Sequence, residues 1–175
     1  HGLGSAATAW KPIIPTLAKQ FSVVTIDLPG HGRTPFSPIQ KMDPTSLAEL
    51  VLKNLKNIGI ENFHLVGNSL GGWVTFEMAV LDPTVVKSIT ALAPAGLWLT
   101  PFTSRYPGEL ALRVMASGVE KLAPSLLNYT WAKKIGFETV SPRWKEINYE
   151  ICLDATTAMA QSNGYFPAWD ALLGK

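Results

Sequence analysis

The sequence predicts an α/β protein, in which a parallel sheet flanked by helices is followed by a helical region. Up to about residue 96, apolar segments of strand length alternate with segments of helical periodicity, which is typical of a parallel sheet. After Gly96 no segment has a convincing strand pattern. Prolines divide that part of the chain into short helices: Pro101, Pro107, Pro124, Pro142 and Pro167.

Three segments are predicted to be strands because they are apolar, rich in β-branched residues and end at turn residues. They are residues 21–26 (FSVVTI), 62–67 (NFHLVG) and 86–94 (VKSITALAP). The first is followed by DLPGHG, a run of turn-forming residues. We expect it to be a buried strand followed by a loop.

Two helices are predicted between these strands. Asp43 and Pro44 have the residue types of an N-cap and a first helical position, and Gly59 closes the segment. The apolar residues between them recur at helical spacing: Leu47, Leu50, Val51, Leu55 and Ile58. The second helix is predicted over residues 69–81, and the Asp-Pro pair at 82–83 ends it.

Composition excludes several classes of protein. The 175 residues suffice for one domain with a core, and a net charge of +2 without a basic run argues against nucleic acid as a partner. No apolar stretch reaches the roughly 18 residues of a membrane span. The single cysteine, Cys152, favours a reducing, cytoplasmic location and a buried structural role. No metal or cofactor is expected, and the partner is a small-molecule substrate.

The stretch GNSLG, residues 67–71, carries the clearest chemical signal. A serine between a strand and a helix must adopt a strained backbone, and Gly67 and Gly71 remove side chains that would collide there. Ser69 would then stand at a helix N-terminus, where negative charge is favoured. This context predicts that Ser69 is a nucleophile, with Asn68 in a supporting position.

Three stretches in order, HGLG (1–4), DLPGHGRT (27–34) and GNSLGG (67–72), resemble the α/β-hydrolase superfamily, in its serine-nucleophile, cap-bearing branch. The resemblance implies a partial hydrolase core over residues 1–98 and a helical cap over 99–175. It also implies that Asp27 and His31 shape a loop and are not members of the catalytic triad.

The resemblance further implies an oxyanion hole made by the backbone N–H groups of Leu3 and Leu70, supported by His1 and Gly2. The activity it implies is hydrolysis of an ester, or of a related acyl or carbon–carbon bond, through an acyl-enzyme. Three aromatic residues are expected to line the substrate pocket: Trp98, Phe102 and Trp131.

The general base is the missing part. His1, His31 and His64 all precede Ser69, whereas the family order is serine, acid, histidine. We therefore expect the chain to be truncated at both ends and inactive alone, with the acid and the histidine outside it. The family order also places a strand between residues 21–26 and 63–66, so we expect a strand-wide gap there.

Two other functions remain open on the sequence alone. A non-catalytic member of the same fold could use the pocket to bind a small ligand. A dinucleotide-binding domain is suggested by Gly2-x-Gly4-x-x-Ala7 with Asp27 beyond it, but two prolines interrupt the helix it requires. A phosphoryl-transfer site lacks the P-loop lysine. The substrate and the oligomeric state are left open.

Overall fold

A computed structural model describes residues 1–99, 102–104 and 107–175. The strands are β1 (Phe63–Asn68) and β2 (Val86–Leu92). The helices are α1 (Ile14–Leu17), α2 (Pro44–Asn57), α3 (Leu70–Leu81), α4 (Pro107–Val119), α5 (Ala123–Leu126), α6 (Thr130–Phe137), α7 (Tyr149–Gln161) and α8 (Tyr165–Leu172). Short 3₁₀ turns form at Ala7–Trp10 and Trp144–Glu146.

The sheet consists of β1 and β2 in parallel, with α3 as the connection between them. Phe63 lies opposite Val86, and after an irregularity the pairing runs to Asn68 opposite Leu92. Helix α3 packs on both strands and α2 packs against α3. The predicted parallel α/β arrangement is therefore confirmed, as are the strands at 62–67 and 86–94 within a residue or two at each end.

Both predicted helices are present. Asp43 caps α2, because its carboxylate accepts the Ser46 N–H at 3.2 Å, and Pro44 is the first helical residue. Gly59 follows the helix with a φ of +71°, the left-handed conformation expected of a closing glycine. Helix α3 begins one residue after Ser69 and ends before Asp82.

The prediction of a buried strand at residues 21–26 is wrong. Residues 22–26 form no strand and pair with neither strand of the sheet, and Phe21 and Val24 are each half exposed. A cleft of about 870 Å³ separates this segment from residues 63–66 of β1. Parallel strands share hydrogen bonds only at about 4.8 Å, so the gap prevents pairing. It lies where the strand-wide gap was expected.

The larger hydrophobic core lies between α2, α3 and α8. Its buried residues are Leu28, Met42, Leu47, Ala48, Val51, Leu55, Leu70, Val74, Met78, Ala168, Trp169 and Leu172. A smaller cluster joins Phe137, Trp144 and Cys152. Cys152 is fully buried and its burial raises the pKa of the thiol, which fits the structural role predicted for it.

In the described residues after β2, the regular elements are helices joined by turns and irregular segments. Residues 107–175 form α4 to α8, and neither they nor residues 102–104 contain a strand. Pro101 lies outside the described residues. Within those residues, every helix is too short or too polar to cross a bilayer. The division into a core over 1–98 and a cap over 99–175 stays a prediction, and α8 packs into the larger core.

Candidate active site

Ser69 sits at the turn between β1 and α3 in a strained backbone conformation, with φ 51° and ψ −118°. Few residues other than glycine adopt such angles, and they persist only where the surroundings hold them. Here the Ser69 N–H donates to the Leu92 carbonyl at 3.0 Å, and the Ser69 carbonyl accepts the Ala95 N–H at 3.0 Å. The end of β2 thus fixes the serine.

The two glycines of the turn are required by close backbone contacts. A Cβ at Gly67 would lie 2.3 Å from the Gly71 carbonyl oxygen, and a Cβ at Gly71 would lie 2.7 Å from the His1 carbonyl oxygen. Any side chain at either position would displace backbone atoms. The sequence argument placed these glycines for this reason, and the geometry agrees.

The His-Gly turn at the start of the chain lies against this serine. The Gly71 N–H donates to the His1 carbonyl at 3.1 Å, and a Cβ at Gly2 would come within 3.2 Å of Ser69 Cβ. The His1 ring accepts the Leu28 N–H at Nε2 (3.0 Å), so its Nδ1 carries the proton and donates to the Gly2 carbonyl at 2.9 Å. His1 thereby ties the turn to the loop at residues 27–34.

The two N–H groups predicted for the oxyanion hole belong to Leu3 and Leu70. In the described part of the chain, neither is paired with an acceptor. Leu70 is the first residue of α3, where the helix dipole favours negative charge. Leu3 lines the same cavity as Ser69. Their role as donors stays a prediction.

A cavity of about 560 Å³ lies over Ser69. One side is formed by residues 2–5 together with Asn68 and Ser69, and the opposite side by α4 to α7 and the segments between them. Such a volume suits a small organic ligand. On this opposite wall, which we call the cap side, the sequence analysis named Trp131 but not the other lining residues of α6: Ala132, Ile135, Gly136 and Phe137.

Of the three aromatic residues expected in the pocket, only Trp131 lines the cavity. The expectation is wrong for Trp98 and Phe102. Trp98 packs edge-on to Trp73, with ring centroids 5.7 Å apart, and Phe102 packs beside Trp98 at 5.0 Å. Gly96, with a φ of +86°, makes the turn that lays this segment against Trp73.

None of the three histidines is hydrogen-bonded to Ser69 among the described residues. His64 contacts Ser88 Oγ at 2.7 Å and lies five residues before Ser69 on β1, about 16 Å along a strand. His31 is fully buried, with its Nδ1 2.9 Å from the Pro29 carbonyl, and burial lowers its pKa. The His1 ring is engaged by Leu28 and Gly2.

Three carboxylates that follow the strand-to-helix turn at residues 67–71, the nucleophile elbow, have partners away from Ser69. Glu77 accepts the Trp73 indole N–H at 3.0 Å, and Asp82 binds the Thr84 hydroxyl at 2.6 Å. Asp154 forms an ion pair with Lys11 at 2.6 Å. We therefore find no acid–base pair for Ser69 among the residues the structure describes.

The structure argues against a dinucleotide-binding site, because the carboxylate that would bind the ribose already has other partners. Asp27 accepts the Ala7 N–H at 2.6 Å and the Arg33 N–H at 3.1 Å, so both oxygens are used inside the loop. The glycine turn leads into the 3₁₀ turn at Ala7–Trp10, which cannot supply the helix N-terminus that a pyrophosphate needs. Over the described ranges, no three His, Cys, Asp or Glu side chains are grouped as metal ligands.

Comparison with known proteins identifies the fold. A family model described as the alpha/beta hydrolase fold matches residues 1–136. The chain belongs to the α/β-hydrolase family. Together with its elbow and helical region, this confirms the fold class that the sequence predicted.

The curated proteins that this chain resembles include an acetyltransferase component and a lipase. The chain is 39% identical over 97 residues to a "Dihydrolipoyllysine-residue acetyltransferase component of acetoin cleaving system" from Pseudomonas putida, covering 55% of this chain and 26% of that protein. It is 31% identical over 123 residues to "Monoacylglycerol lipase abhd6-A" from Xenopus laevis, covering 69% and 34%.

Among solved structures, Cfl2 from Burkholderia cenocepacia matches with a TM-score of 0.69 at 20% identity, over 98% of this chain and 60% of that one. At that identity the likeness shows the fold alone. The alignments span 26% and 34% of the two curated relatives above. The activity of the whole protein is therefore a matter for proposal.

Proposed function

We propose that this α/β hydrolase cleaves an ester, or a related acyl or carbon–carbon bond, of a small apolar substrate, with Ser69 as the nucleophile. The observation that carries the proposal is the Ser69 backbone, whose φ of 51° at a strand-to-helix turn directs the serine into the cavity. Strain of this kind costs on the order of 1–3 kcal/mol and is concentrated at functional sites.

In the proposed reaction, Ser69 Oγ adds to the carbonyl carbon of the substrate while its proton passes to a general base. The oxyanion that forms is stabilised by the N–H groups of Leu3 and Leu70, which are free to donate. Collapse of the tetrahedral intermediate breaks the bond to the leaving group, which takes up the proton. Water then attacks the acyl-enzyme, returning Ser69 and releasing the acid.

Proton transfer from Ser69 needs a general base, and none is placed beside it among the described residues. The rings of His1, His31 and His64 are all engaged away from Ser69. General-base assistance is typically worth about 10²–10⁴-fold, so we expect the 175-residue chain to react slowly or not at all with esters. Ester turnover at an ordinary enzymatic rate would show that a base has been overlooked.

Labelling with a fluorophosphonate probe tests the nucleophile, because the probe forms a covalent bond with an activated serine. We expect slow labelling that Ser69→Ala abolishes. Ser5→Ala is the matched control, since Ser5 also lines the cavity and its loss should leave labelling unchanged. Equal labelling of Ser69→Ala would overturn the assignment. Ligand binding in the cavity without any labelling of Ser69 would favour the non-catalytic alternative.

A further inference from the structure

The cavity over Ser69 is polar at one end and apolar at the other. Its polar atoms are grouped around residues 2–5, Asn68 and Ser69. The cap side presents hydrocarbon from Ala116, Val119, Leu126, Trp131, Ile135 and Val140. No Asp, Glu, Lys, Arg or His side chain lines the cavity in the described part of the chain.

Among the described residues that line the cap side, the single hydroxyl is already engaged as a donor. Thr156 lies on α7, and its hydroxyl donates to the Cys152 carbonyl at 2.9 Å, within the same helix. It is therefore not free to donate to a carboxylate. A carboxylate placed against this wall would meet no cationic side chain, whereas a hydrocarbon chain there would cover apolar surface. The wall selects for hydrocarbon.

Helix α6 contributes a continuous face to this wall. Trp131, Ala132, Ile135 and Gly136 line the cavity, and their spacing of one, four and five residues places them on one side of a helix. Gly136 lies near the C-terminal end of that face. A side chain there would extend the same face into the cavity.

Nothing in the backbone or the packing explains a glycine at position 136. Its φ is not positive, and a Cβ built there would meet no atom within 4 Å. Glycine in a helix costs up to about 1 kcal/mol relative to alanine. Gly118, near the end of α4, shares these properties but lies outside the cavity. The consequence particular to Gly136 is the space it leaves over Ser69.

We propose that the cap side of this cavity binds the uncharged hydrocarbon acyl chain of the substrate, and that Gly136 determines how long or bulky a chain it accepts. The inference rests on the proposed function, because it assigns the acyl side of the Ser69 centre. It adds two claims: a terminal carboxylate is rejected, and the selecting position is Gly136.

The affinity of the cavity for different acyl chains can be measured without catalysis, as the displacement of bound Nile red, a neutral dye. Methyl octanoate and monomethyl suberate have acyl chains of equal length, but the second ends in a carboxylate. We expect methyl octanoate to bind at least tenfold more tightly. Gly136→Leu should weaken methyl octanoate binding at least tenfold, Gly136→Ala less, and Gly118→Leu should change it less than twofold.

Each variant replaces glycine with a better helix former, so none should impair folding, and a thermal melt checks this. Equal affinity for the two esters would overturn the claim of charge rejection. Unchanged binding by folded Gly136→Leu would overturn the role of Gly136. Labelling that Ser69→Ala leaves unchanged, with these binding results intact, would refute the assignment of the nucleophile alone, whereas labelling of Ser69 without chain selectivity would refute the acyl site alone.

Discussion

Gly67→Ala tests whether the turn that presents Ser69 depends on close backbone contact. The added Cβ would lie 2.3 Å from the Gly71 carbonyl oxygen and 2.8 Å from the Gly72 nitrogen. Ordinary contact begins at 3.4 Å, so β1 and α3 must separate by about 1 Å. Inserting a methyl group into such a site typically costs about 1–3 kcal/mol.

In a domain of this size each kcal/mol lowers the melting temperature by about 2–4 °C, so we expect a fall of roughly 2–12 °C. A displacement of about 1 Å at a reacting atom can cost about 100-fold in rate. Fluorophosphonate labelling should slow accordingly. Gly118→Ala is the control, because its Cβ meets nothing within 4 Å and the melting temperature should hold or rise. A Gly67→Ala protein that melts and labels like the parent would refute the reasoning.

Two further predictions concern stability. Burial lowers the pKa of His31, so the free energy of unfolding should fall as the pH drops below the unfolded pKa of about 6.5, where the unfolded chain binds a proton that the folded chain does not. The His31→Asn variant should flatten this slope in melts recorded across the pH range, and an unchanged slope would contradict the reasoning. The cleft beside β1 leaves the backbone N–H and C=O groups on that edge of the strand without a neighbouring strand. Each such group that is buried and unpaired costs about 1–3 kcal/mol, compared with a typical free energy of unfolding of about 5–15 kcal/mol. The chain should therefore self-associate in size-exclusion chromatography, and a monomer with a cooperative melt would contradict this.

The local order of the core was predictable because its signals are local. The Asp43-Pro44 pair starts α2, and Gly67 is required by the Gly71 carbonyl four residues later in the chain. The contact that requires Gly71 is with the His1 backbone, far away in the sequence. That residues 21–26 do not form a strand was not predictable from local signals. Their composition is that of a buried strand, but strand formation requires a neighbour at hydrogen-bonding distance, and a cleft lies there instead.

The site was predictable at its reactive end and not at its cap. Ser69 and the His-Gly turn are recognisable because backbone strain and close contact restrict the residue types allowed. Aromatic residues carry no such restriction. All three aromatic residues predicted to line the pocket pack beside another ring, but Trp131 also lines the cavity whereas Trp98 and Phe102 do not, and only the packing of the helices decides between these outcomes. Gly136 was overlooked because an unstrained helical glycine has no local signature.

The position of a covalent adduct tests the central claim most directly. After reaction with the fluorophosphonate, the protein is digested and the modified residue is located by peptide mass spectrometry. We predict a single adduct on Ser69, lost in Ser69→Ala and retained in Ser5→Ala. An adduct on another serine, with Ser69 unmodified, would contradict the account.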